Sequence, residues 1–288
     1  MPIIWVGRLA DKRRKRDMAK QPLVTLLTDF GTADPYVAAM KGVILSACPT
    51  ATIVDISHDV PPHDVLAAAI VLAQAAPYFP PDTLHMVVVD PGVGTGRRIL
   101  AGSFGRQRFL LPDNGVIGFV AAALPVESLV VVREAEQLRQ AAASMTFHGR
   151  DIFAPLAGRI LNGLAISKLG PPAGSYKAIE LPAPREDAGR VAGQVIYVDR
   201  FGNLISNISA ELVSRRWHSP AGVRVGCGNQ QAIPFRLTYA QAAEGEALAL
   251  FDSMGLLEVA VNRDRACDVL AAGVGSEVMV VEAPGESR

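Results

Sequence analysis

Two acidic side chains follow dense apolar stretches of the sequence and could hold a polar ligand. Asp90 comes directly after Val87-Val88-Val89, and Asp29 comes directly after the stretch 23–28. Arg97 follows Asp90 by seven residues along a glycine-rich segment, so a carboxylate and a guanidinium could form a pair. Asp29 could accept two hydrogen bonds from a sugar diol, as carboxylates do at ribose sites. Such acids can also cap backbone amides in a turn, and this alternative stays open from the residues alone.

His148 is the third side chain that could do chemistry. It lies in Phe147-His148-Gly149, shortly before a predicted helix over 152–161. A histidine here could cap that helix or lie in the core. With Asp90 and Arg97, however, it could position or polarise an attacking water without covalent catalysis.

The remaining sequence argues against metal, nucleotide-loop and covalent chemistry. The five histidines lack the spacing of a zinc site, and Cys48, Cys227 and Cys267 are isolated. We therefore predict no metal, no cofactor and no disulfide framework, and the isolated cysteines favour a reducing cytoplasm. The segment Gly92-Val93-Gly94-Thr95-Gly96 lacks the spacing of a dinucleotide loop, and no Walker lysine follows it. A nucleophile elbow is absent from the sequence as well.

Composition and charge argue against several other classes of protein. The formal net charge is zero, so bulk attraction to nucleic acid or to an anionic membrane is not expected. No apolar stretch approaches the roughly 18 residues that would cross a bilayer. The basic run 12–16 follows a short apolar patch, whereas a signal peptide would place its charge first. We predict that residues 1–20 form a disordered basic tail.

The elements that position the candidate acids alternate between strands and helices. Apolar strands are predicted over 23–28, 52–56 and 87–89, and helical spacing is found over 36–47 and 65–76. This order predicts a mostly parallel sheet with right-handed crossovers. The pattern also predicts further strands and helices, over 108–111, 116–123, 128–132 and 152–161. The acids therefore stand at the carboxyl edge of a sheet, where ligands bind in such folds.

Pro171-Pro172 and then Pro182-Ala183-Pro184 mark a linker, and the pattern changes beyond it. Short strands alternate with turns, and brief helical pieces are predicted around 239–243 and 265–270. The predicted strands cover 193–198, 204–208, 222–225, 247–251, 256–261 and 277–281. This pattern is typical of a small, mostly antiparallel barrel or sandwich. We thus predict an α/β domain over 21–184 and a β domain over 185–288.

A set of motifs, in order from Leu23 to Val281, resembles that of a known family. The motifs are Leu27-Thr28-Asp29-Phe30-Gly31-Thr32 with Asp34, Tyr36 and Met40-Lys41-Gly42, then Asp55-Ile56-Ser57-His58, Val89-Asp90-Pro91-Gly92-Val93-Gly94-Thr95, Pro112-Asp113-Asn114-Gly115, Phe147-His148-Gly149-Arg150-Asp151, Phe201-Gly202-Asn203 with Asn207, and Ser253 with Gly255. Together they resemble the S-adenosyl-L-methionine hydroxide adenosyltransferases, relatives of the fluorinase and the chlorinase. The resemblance implies an amino-terminal α/β domain, a carboxyl-terminal β-barrel and a homotrimer with sites between subunits.

The reaction that this resemblance implies is displacement at the 5′ carbon of S-adenosyl-L-methionine, which releases methionine. The hydroxide branch of the family forms adenosine, and the halogenating branch forms a 5′-halo-adenosine. Hydroxide enzymes carry an Asp–Arg–His set, which Asp90, Arg97 and His148 match. In the fluorinase a tyrosine stands at the position of Asp90 and a serine at that of Gly149. The resemblance therefore implies water as the nucleophile here.

The resemblance also assigns residues to the substrate. Asp29 should hold the ribose 2′ and 3′ hydroxyl groups, and Phe201 should lie near the bound nucleoside. Asn203 and Ser253 match positions near the methionine end. The full substrate-binding set that it implies consists of Asp29, His63, Gly149, Phe201, Asn203 and Ser253.

Two positions depart from the fluorinase. His63 stands where the fluorinase has a tryptophan that lines its pocket, which leaves the role of His63 open. Met254 stands where the fluorinase has an arginine, which leaves the partner of the methionine carboxylate open. Two alternative functions also stay open: a halide-dependent 5′-halo-adenosine synthase, and a protein that binds S-adenosyl-L-methionine or adenosine without turnover.

Overall fold

The computed structural model describes residues 21–133, 138, 144, 146–217, 219 and 222–283. The chain divides into two compact units, of which the first ends at Ile179 and the second begins at Glu180. The predicted basic tail, 1–20, lies outside the described residues.

In the described part of the first unit, a six-stranded sheet has the order β2-β1-β3-β5-β4-β6. Its strands are β1 Leu23–Thr28, β2 Thr52–Ser57, β3 Leu84–Val88, β4 Ile99–Phe104, β5 Gln107–Pro112 and β6 Val126–Val131. Strands β2, β1, β3 and β5 run parallel, whereas β4 is antiparallel to both β5 and β6. The prediction of a mostly parallel sheet is confirmed.

Strand β4 is absent from the sequence-based prediction, which places no element between Asp90 and residue 108. This strand contains only one β-branched residue, Ile99, and Gly102 lies in its interior. A side chain at Gly102 would lie within 3 Å of Phe104 and Leu129, so close packing requires the glycine. Gly105 and Arg106 both have positive φ and join β4 to β5 as a two-residue hairpin loop.

The helices of the first unit cover the sheet. Within the described residues, its α-helices are α1 Tyr36–Ala47, α2 Val65–Ala75, α3 Gly118–Ala123 and α4 Ala154–Leu161. Helices α1 and α4 pack together over a core in which Leu26 and Met86 of the sheet meet Met40, Ile44 and Leu156. The predicted helix over 152–161 begins earlier than expected, because a π-helical turn over Gly149–Phe153 precedes α4.

The strand order brings the two candidate acids to one edge. The connection from β1 through α1 leads to β2 on one side, and the connection from β2 through α2 returns past β1 to β3 on the other. Thr28 at the end of β1 is paired in register with Val88 at the end of β3. Asp29 and Asp90 therefore emerge side by side where the direction of winding reverses, which is the usual ligand position in open α/β sheets.

In the described part of the second unit, an antiparallel sheet has the order β11-β10-β14-β8-β9-β13-β12, and β7 pairs with β8. Its strands are β7 Arg185–Asp187, β8 Arg190–Val198, β9 Leu204–Ser209, β10 Val223–Cys227, β11 Gln230–Pro234, β12 Ala247–Phe251, β13 Leu256–Val261 and β14 Glu277–Glu282. A bridge between Phe235 and Ala249 brings the region after β11 to β12, so the sheet forms a nearly closed barrel. The apolar side chains of Val195, Val225 and Val259 meet in its core.

Three elements of the second unit are missing from the sequence-based prediction. Helix α5, Ala210–Trp217, buries only Val213 completely, so its sequence carries no broad apolar stripe. Strand β11 buries only Ile233, and all three residues of β7 are exposed. The predicted helical pieces are present but shorter, as a 3₁₀ turn over Tyr239–Gln241 and as α6, Ala266–Val269.

Candidate active site

A cavity of about 260 Å³ opens at the carboxyl edge of the first sheet. It is lined by Asp29, Phe30, Tyr36, Pro62, His63, Val88, Asp90, Val93, Thr146, His148 and Gly149. Five of the residues singled out from the sequence line this one cavity: Asp29, His63, Asp90, His148 and Gly149. Arg97 is the sixth predicted site residue in the first unit. It lies in the glycine-rich segment that follows Asp90 and contacts Asp90 and His148.

Arg97 joins Asp90 to His148. Its Nε donates a hydrogen bond of 2.7 Å to Asp90 Oδ2, and its Nη2 contacts the same oxygen. The same Nη2 lies 3.0 Å from His148 Nδ1. The guanidinium also lies over the ring of Phe153, 5.5 Å from its centroid. All three polar side chains are buried, so solvent screens their interactions only weakly.

The contact with Arg97 assigns the tautomer of His148. An arginine nitrogen can only donate, so His148 Nδ1 must accept, and the proton of the neutral imidazole lies on Nε2. His148 therefore accepts from Arg97 at Nδ1, and the N–H group at Nε2 is buried. The tautomer follows from the geometry of the heavy atoms.

The second carboxylate oxygen of Asp90 has a different environment. Asp90 Oδ1 is buried and accepts no hydrogen bond from any residue that the structure describes. A buried carboxylate oxygen without a donor is unfavourable, and such sites usually hold a water or a ligand group. Because Asp90 lines the cavity, this oxygen is suited to accept a proton or a hydrogen bond from a molecule bound there.

The motif Pro112-Asp113-Asn114-Gly115 braces the segment that carries the pair. Asn114 Nδ2 donates 2.8 Å to the carbonyl oxygen of Val89, immediately before Asp90. At the other end, Arg98 Nε donates 2.7 Å to the buried carboxylate of Asp113. Both ends of the segment 90–97 are thus tied to one turn after β5. Sequence reasoning listed this motif only as part of the family resemblance and gave it no role.

Asp29 is held by the backbone of His63. The amide of His63 donates 2.8 Å to Asp29 Oδ2, and the carboxylate is 8% exposed. His63 has a φ of 67°, a left-handed conformation that is unusual for a residue with a side chain. Its imidazole is 75% exposed, and its Nδ1 lies 3.9 Å from Asp29 Oδ2. The contact that the structure provides through His63 is therefore mainly a backbone contact.

Gly149 fits a space that admits no larger residue without movement. A Cβ atom at this position would lie 2.9 Å from Met40 Sδ and 3.3 Å from the ring of Phe30. The rings of Phe30, Tyr36 and Phe147 pack edge to face around it, with centroids 5.2 to 6.1 Å apart. A serine here, as in the fluorinase, would require the flexible end of Met40 to shift.

The remaining candidates lie in the second unit. Phe201 and Asn203 line a cavity of about 590 Å³, together with Asp199, Tyr239, Val261, Asn262, Arg263, Asp264 and Arg265. Phe201 is 75% exposed, whereas Asn203 is buried and donates 3.0 Å from Nδ2 to Asp199 Oδ2. Ser253 does not line this cavity but lies in the exposed turn between β12 and β13. Asp252 shapes that turn by accepting hydrogen bonds from the amides of Met254 and Leu256.

Sequence reasoning missed a buried pair beside this second cavity. Tyr239 donates 2.6 Å from its hydroxyl to Oε1 of Glu258, which is 4% exposed. Burial is the main reason that the pKa of Glu258 rises to about 7, and the nearby carboxylates of Asp199 and Asp252 add to the effect. The pKa of Tyr239 is raised as well, first by burial and then by its bond to Glu258. An acid within the apolar stretch 256–261 is the signal that could have revealed the pair.

Within the described residues, no cluster of three or more His, Cys, Asp or Glu side chains is arranged to hold a metal ion. None of the helices among those residues is both long enough and apolar enough to cross a bilayer.

Comparison with known proteins gives concordant results for both units. The family model described as the SAM hydroxide adenosyltransferase N-terminal domain matches residues 24–170, and the corresponding C-terminal domain matches residues 193–279. An (R)-S-adenosyl-L-methionine hydrolase of Salinispora tropica is 40% identical over 91% of this chain and 99% of its own. A fluorinase of Nocardia brasiliensis is 27% identical over 84% of this chain and 91% of its own.

A solved structure shares the fold. The crystal structure of an uncharacterized conserved protein from Thermotoga maritima superposes with a TM-score of 0.83 and 36% identity, covering 90% of this chain and 100% of that one. The family models, the similar hydrolase and the shared fold all agree with the motifs in the sequence. The chain belongs to the SAM hydroxide adenosyltransferase family.

Proposed function

We propose that this protein hydrolyses S-adenosyl-L-methionine to adenosine and L-methionine by in-line attack of water at the ribose 5′ carbon. The observation that carries the proposal is the buried Asp90–Arg97–His148 cluster, of which Asp90 and His148 line one cavity together with Asp29. The identity with named hydrolases over nearly the whole chain supports the same reaction.

The chemistry needs little from the protein beyond position and charge. As the bond from the water oxygen to C5′ forms, the bond from C5′ to sulfur breaks, and its electron pair stays on sulfur. The sulfonium leaves as a neutral thioether, so no acid has to protonate it. Positive charge instead develops on the attacking oxygen, and a fixed carboxylate beside it stabilises that charge. Alignment within a cavity that restricts water supplies the rest.

Each member of the cluster has a distinct part in this scheme. Asp90 accepts a hydrogen bond from the attacking water through Oδ1 and takes its proton as attack proceeds. Arg97 holds Oδ2 and balances the buried negative charge before the reaction. His148 fixes the guanidinium from the other side. Asp29 accepts hydrogen bonds from the ribose hydroxyl groups and so sets the distance of C5′ from Asp90.

Water is favoured over halide as the nucleophile for an electrostatic reason. A halide in the position of the attacking water would lie against the carboxylate of Asp90, whereas water can donate a hydrogen bond to it. The repulsion would act in a buried site, where charges interact more strongly than in bulk solvent.

We propose that residues of the second unit also bind the substrate, as the family resemblance implies. Following the family, Phe201 contacts the nucleoside, and Asn203 and Ser253 contact the methionine end. Met254 carries no charge, so we propose that the methionine carboxylate is bound by polar rather than ionic contacts at this position. The similar hydrolases are named for the R epimer of S-adenosyl-L-methionine, and we propose the same preference here.

We also propose a homotrimer with its sites at subunit interfaces, a cytoplasmic location, and activity without a metal or cofactor. The exposed ring of Phe201, assigned to the nucleoside, supports a site that is completed by another surface. All three cysteines are free thiols, as expected in a reducing compartment. Light scattering should give a mass about three times that of the 30.5 kDa chain.

The test is product analysis with separated epimers of the substrate. We expect adenosine and methionine in equal amounts, faster formation from the R epimer, and no loss of rate in the presence of EDTA. Binding of substrate without adenosine formation would instead favour a protein that senses this ligand.

A further inference from the structure

A second polar chain lies beside the cavity and takes no part in the scheme above. His58 Nδ1 lies 2.8 Å from the hydroxyl oxygen of Thr28, and His58 Nε2 lies 3.1 Å from Asp55 Oδ1. Lys41 of α1 contacts the other oxygen of Asp55 at 2.6 Å. The chain thus runs from a half-exposed lysine on α1 to a buried hydroxyl at the end of β1.

The proton positions along this chain follow from its partners. The hydroxyl of Thr28 accepts a hydrogen bond of 3.3 Å from the amide of Phe30, so its own proton is free to point at His58 Nδ1. His58 then carries its proton on Nε2, the ring nitrogen that lies 3.1 Å from Asp55 Oδ1. Burial opposes ionisation of Asp55, but the hydrogen bonds from Lys41 and His58 outweigh it and hold the pKa of Asp55 below its usual range.

The order carboxylate, imidazole and hydroxyl is that of a catalytic triad, but its location rules out this use. Thr28 is fully buried, and it does not line the cavity. A nucleophile must reach its substrate, so the hydroxyl of Thr28 has a positioning role.

What the chain positions is the turn that presents Asp29. The hydroxyl of Thr28 binds the amide of Phe30 on the far side of Asp29, and the carbonyl of His58 accepts 2.8 Å from the amide of Gly31. The loop that begins at His58 ends at His63, whose amide binds the carboxylate of Asp29 itself. Three hydrogen bonds therefore join the turn 28–31 to the loop 58–63. They connect the side chains of Thr28 and His58, the backbones of Gly31 and His58, and the Asp29 carboxylate and His63 amide.

We propose that Thr28 and His58 are positioning residues that aim the carboxylate of Asp29 and thereby set the preference for ligands with vicinal ribose hydroxyl groups. This inference rests on the proposed function, because it assumes that Asp29 binds the ribose. It adds that the recognition depends on the Thr28–His58 hydrogen bond, although neither side chain is assigned a contact with the ligand.

The same strand supplies a matched control. Thr25 lies three residues before Thr28 in β1, is also fully buried, and its hydroxyl lies 2.8 Å from His85 Nδ1. His85 stacks on Phe109, with centroids 5.0 Å apart, and does not line the cavity. Thr25→Val therefore removes a threonine–histidine hydrogen bond of equal length and burial without touching the turn of Asp29.

The experiment measures the dissociation constants of adenosine and of 2′,3′-dideoxyadenosine by calorimetry. We expect Thr28→Val to weaken adenosine binding by about threefold to tenfold, the range of one hydrogen bond, and to leave dideoxyadenosine binding within about twofold. Thr28→Ser keeps the hydroxyl group, so its dissociation constant for adenosine should equal that of the parent. Thr25→Val should leave both dissociation constants unchanged. His58→Gln should reproduce the effect of Thr28→Val, and the double variant should be no worse than either single variant.

The outcomes separate this inference from the function on which it rests. If the parent protein binds adenosine no better than dideoxyadenosine, the assignment of Asp29 to the ribose is wrong. If the parent discriminates and Thr28→Val discriminates equally well, the positioning role is wrong. Equal weakening for both nucleosides would also overturn it, since that result would mean general damage to the cavity.

Discussion

Arg97 donates a hydrogen bond of 2.7 Å from Nε to Oδ2 of Asp90, and both side chains are at most 5% exposed. The pairing is one-sided, because the other oxygen of Asp90 accepts nothing from the residues that the structure describes. One oxygen thus anchors the carboxylate and the other is available to a bound molecule. The consequences of this division can be tested separately.

Asp90→Asn tests the oxygen that faces a ligand. The amide keeps the shape of the carboxylate but cannot take a proton from water. We expect kcat to fall by about 100-fold or more, the usual contribution of a general base, while the dissociation constant of adenosine changes little. Steady-state kinetics and calorimetry on the same preparation provide the check. Unchanged kcat would remove Asp90 from the mechanism, and lost adenosine binding would give it a binding role.

Arg97→Ala tests the anchored oxygen. The substitution leaves Asp90 buried without its cation, so we expect the free energy of unfolding to fall by about 3–5 kcal/mol in addition to a loss of activity. Urea unfolding measures this change. Arg185→Ala is the control, because Arg185 pairs with Glu277 at the surface and its removal should cost about 0.5 kcal/mol or less. If the free energy of unfolding falls equally in the two variants, the loss of the cation beside buried Asp90 costs no more than the loss of a surface ion pair, and the prediction is wrong.

Halide competition tests the choice of nucleophile. Because Asp90 places negative charge at the proposed site of attack, we expect adenosine to be the only nucleoside product in the presence of added chloride or fluoride. Mass spectrometry of the reaction mixture distinguishes adenosine from its 5′-halo analogues. Formation of 5′-chloro-adenosine or 5′-fluoro-adenosine by the parent protein would show that the carboxylate does not exclude anions.

The position of the candidate acids was predictable from sequence for a clear reason. A dense apolar stretch fixes where a strand ends, and the alternation of strands with helices makes the strands parallel. Parallel strands have their carboxyl ends at one edge, so Asp29 and Asp90 had to emerge together, as the pairing of Thr28 with Val88 shows. The mostly parallel sheet followed from the same periodicities, whereas for the second domain they predicted a barrel or a sandwich and the family resemblance favoured the barrel.

Contacts between distant residues were not predictable in this way. The hydrogen bonds of His58 to Thr28 and of Tyr239 to Glu258 join residues whose separation follows no local period. Edge elements were missed for another reason. Strand β11 buries little beyond Ile233, so no alternation of apolar residues marks it. The local pattern of apolar residues indicates which side chains are buried. The hydrogen bonds between distant residues and the edge strands depend instead on tertiary packing.

Glu258 makes stability depend on pH. Its pKa is about 7 in the folded protein against an ordinary value of 4.5, so folding favours the protonated acid. The stabilising contribution is complete below about pH 4.5 and is lost as the pH rises through 7. Between pH 4.5 and 8, we expect the free energy of unfolding of the parent to fall by about 2 kcal/mol relative to that of Glu258→Gln, as measured by urea unfolding. Exposed Glu211 provides the control, since Glu211→Gln should follow the parent.

Asn114→Ala tests whether the Asp90–Arg97–His148 cluster depends on the hydrogen bond that Asn114 donates to the backbone just before Asp90. Asn114 Nδ2 donates 2.8 Å to the carbonyl of Val89, so its loss frees the backbone that carries Asp90 while leaving every cavity side chain in place. We expect kcat to fall by about threefold to tenfold with the adenosine dissociation constant unchanged, because attack geometry tolerates less displacement than binding does. Asn162→Ala is the control, since Asn162 Nδ2 donates 2.7 Å to the carbonyl of Ala47, and neither residue lines the cavity. Equal falls in kcat for both variants would assign the effect to general loss of stability, whereas a fall confined to Asn114→Ala would identify the turn after β5 as part of the catalytic apparatus.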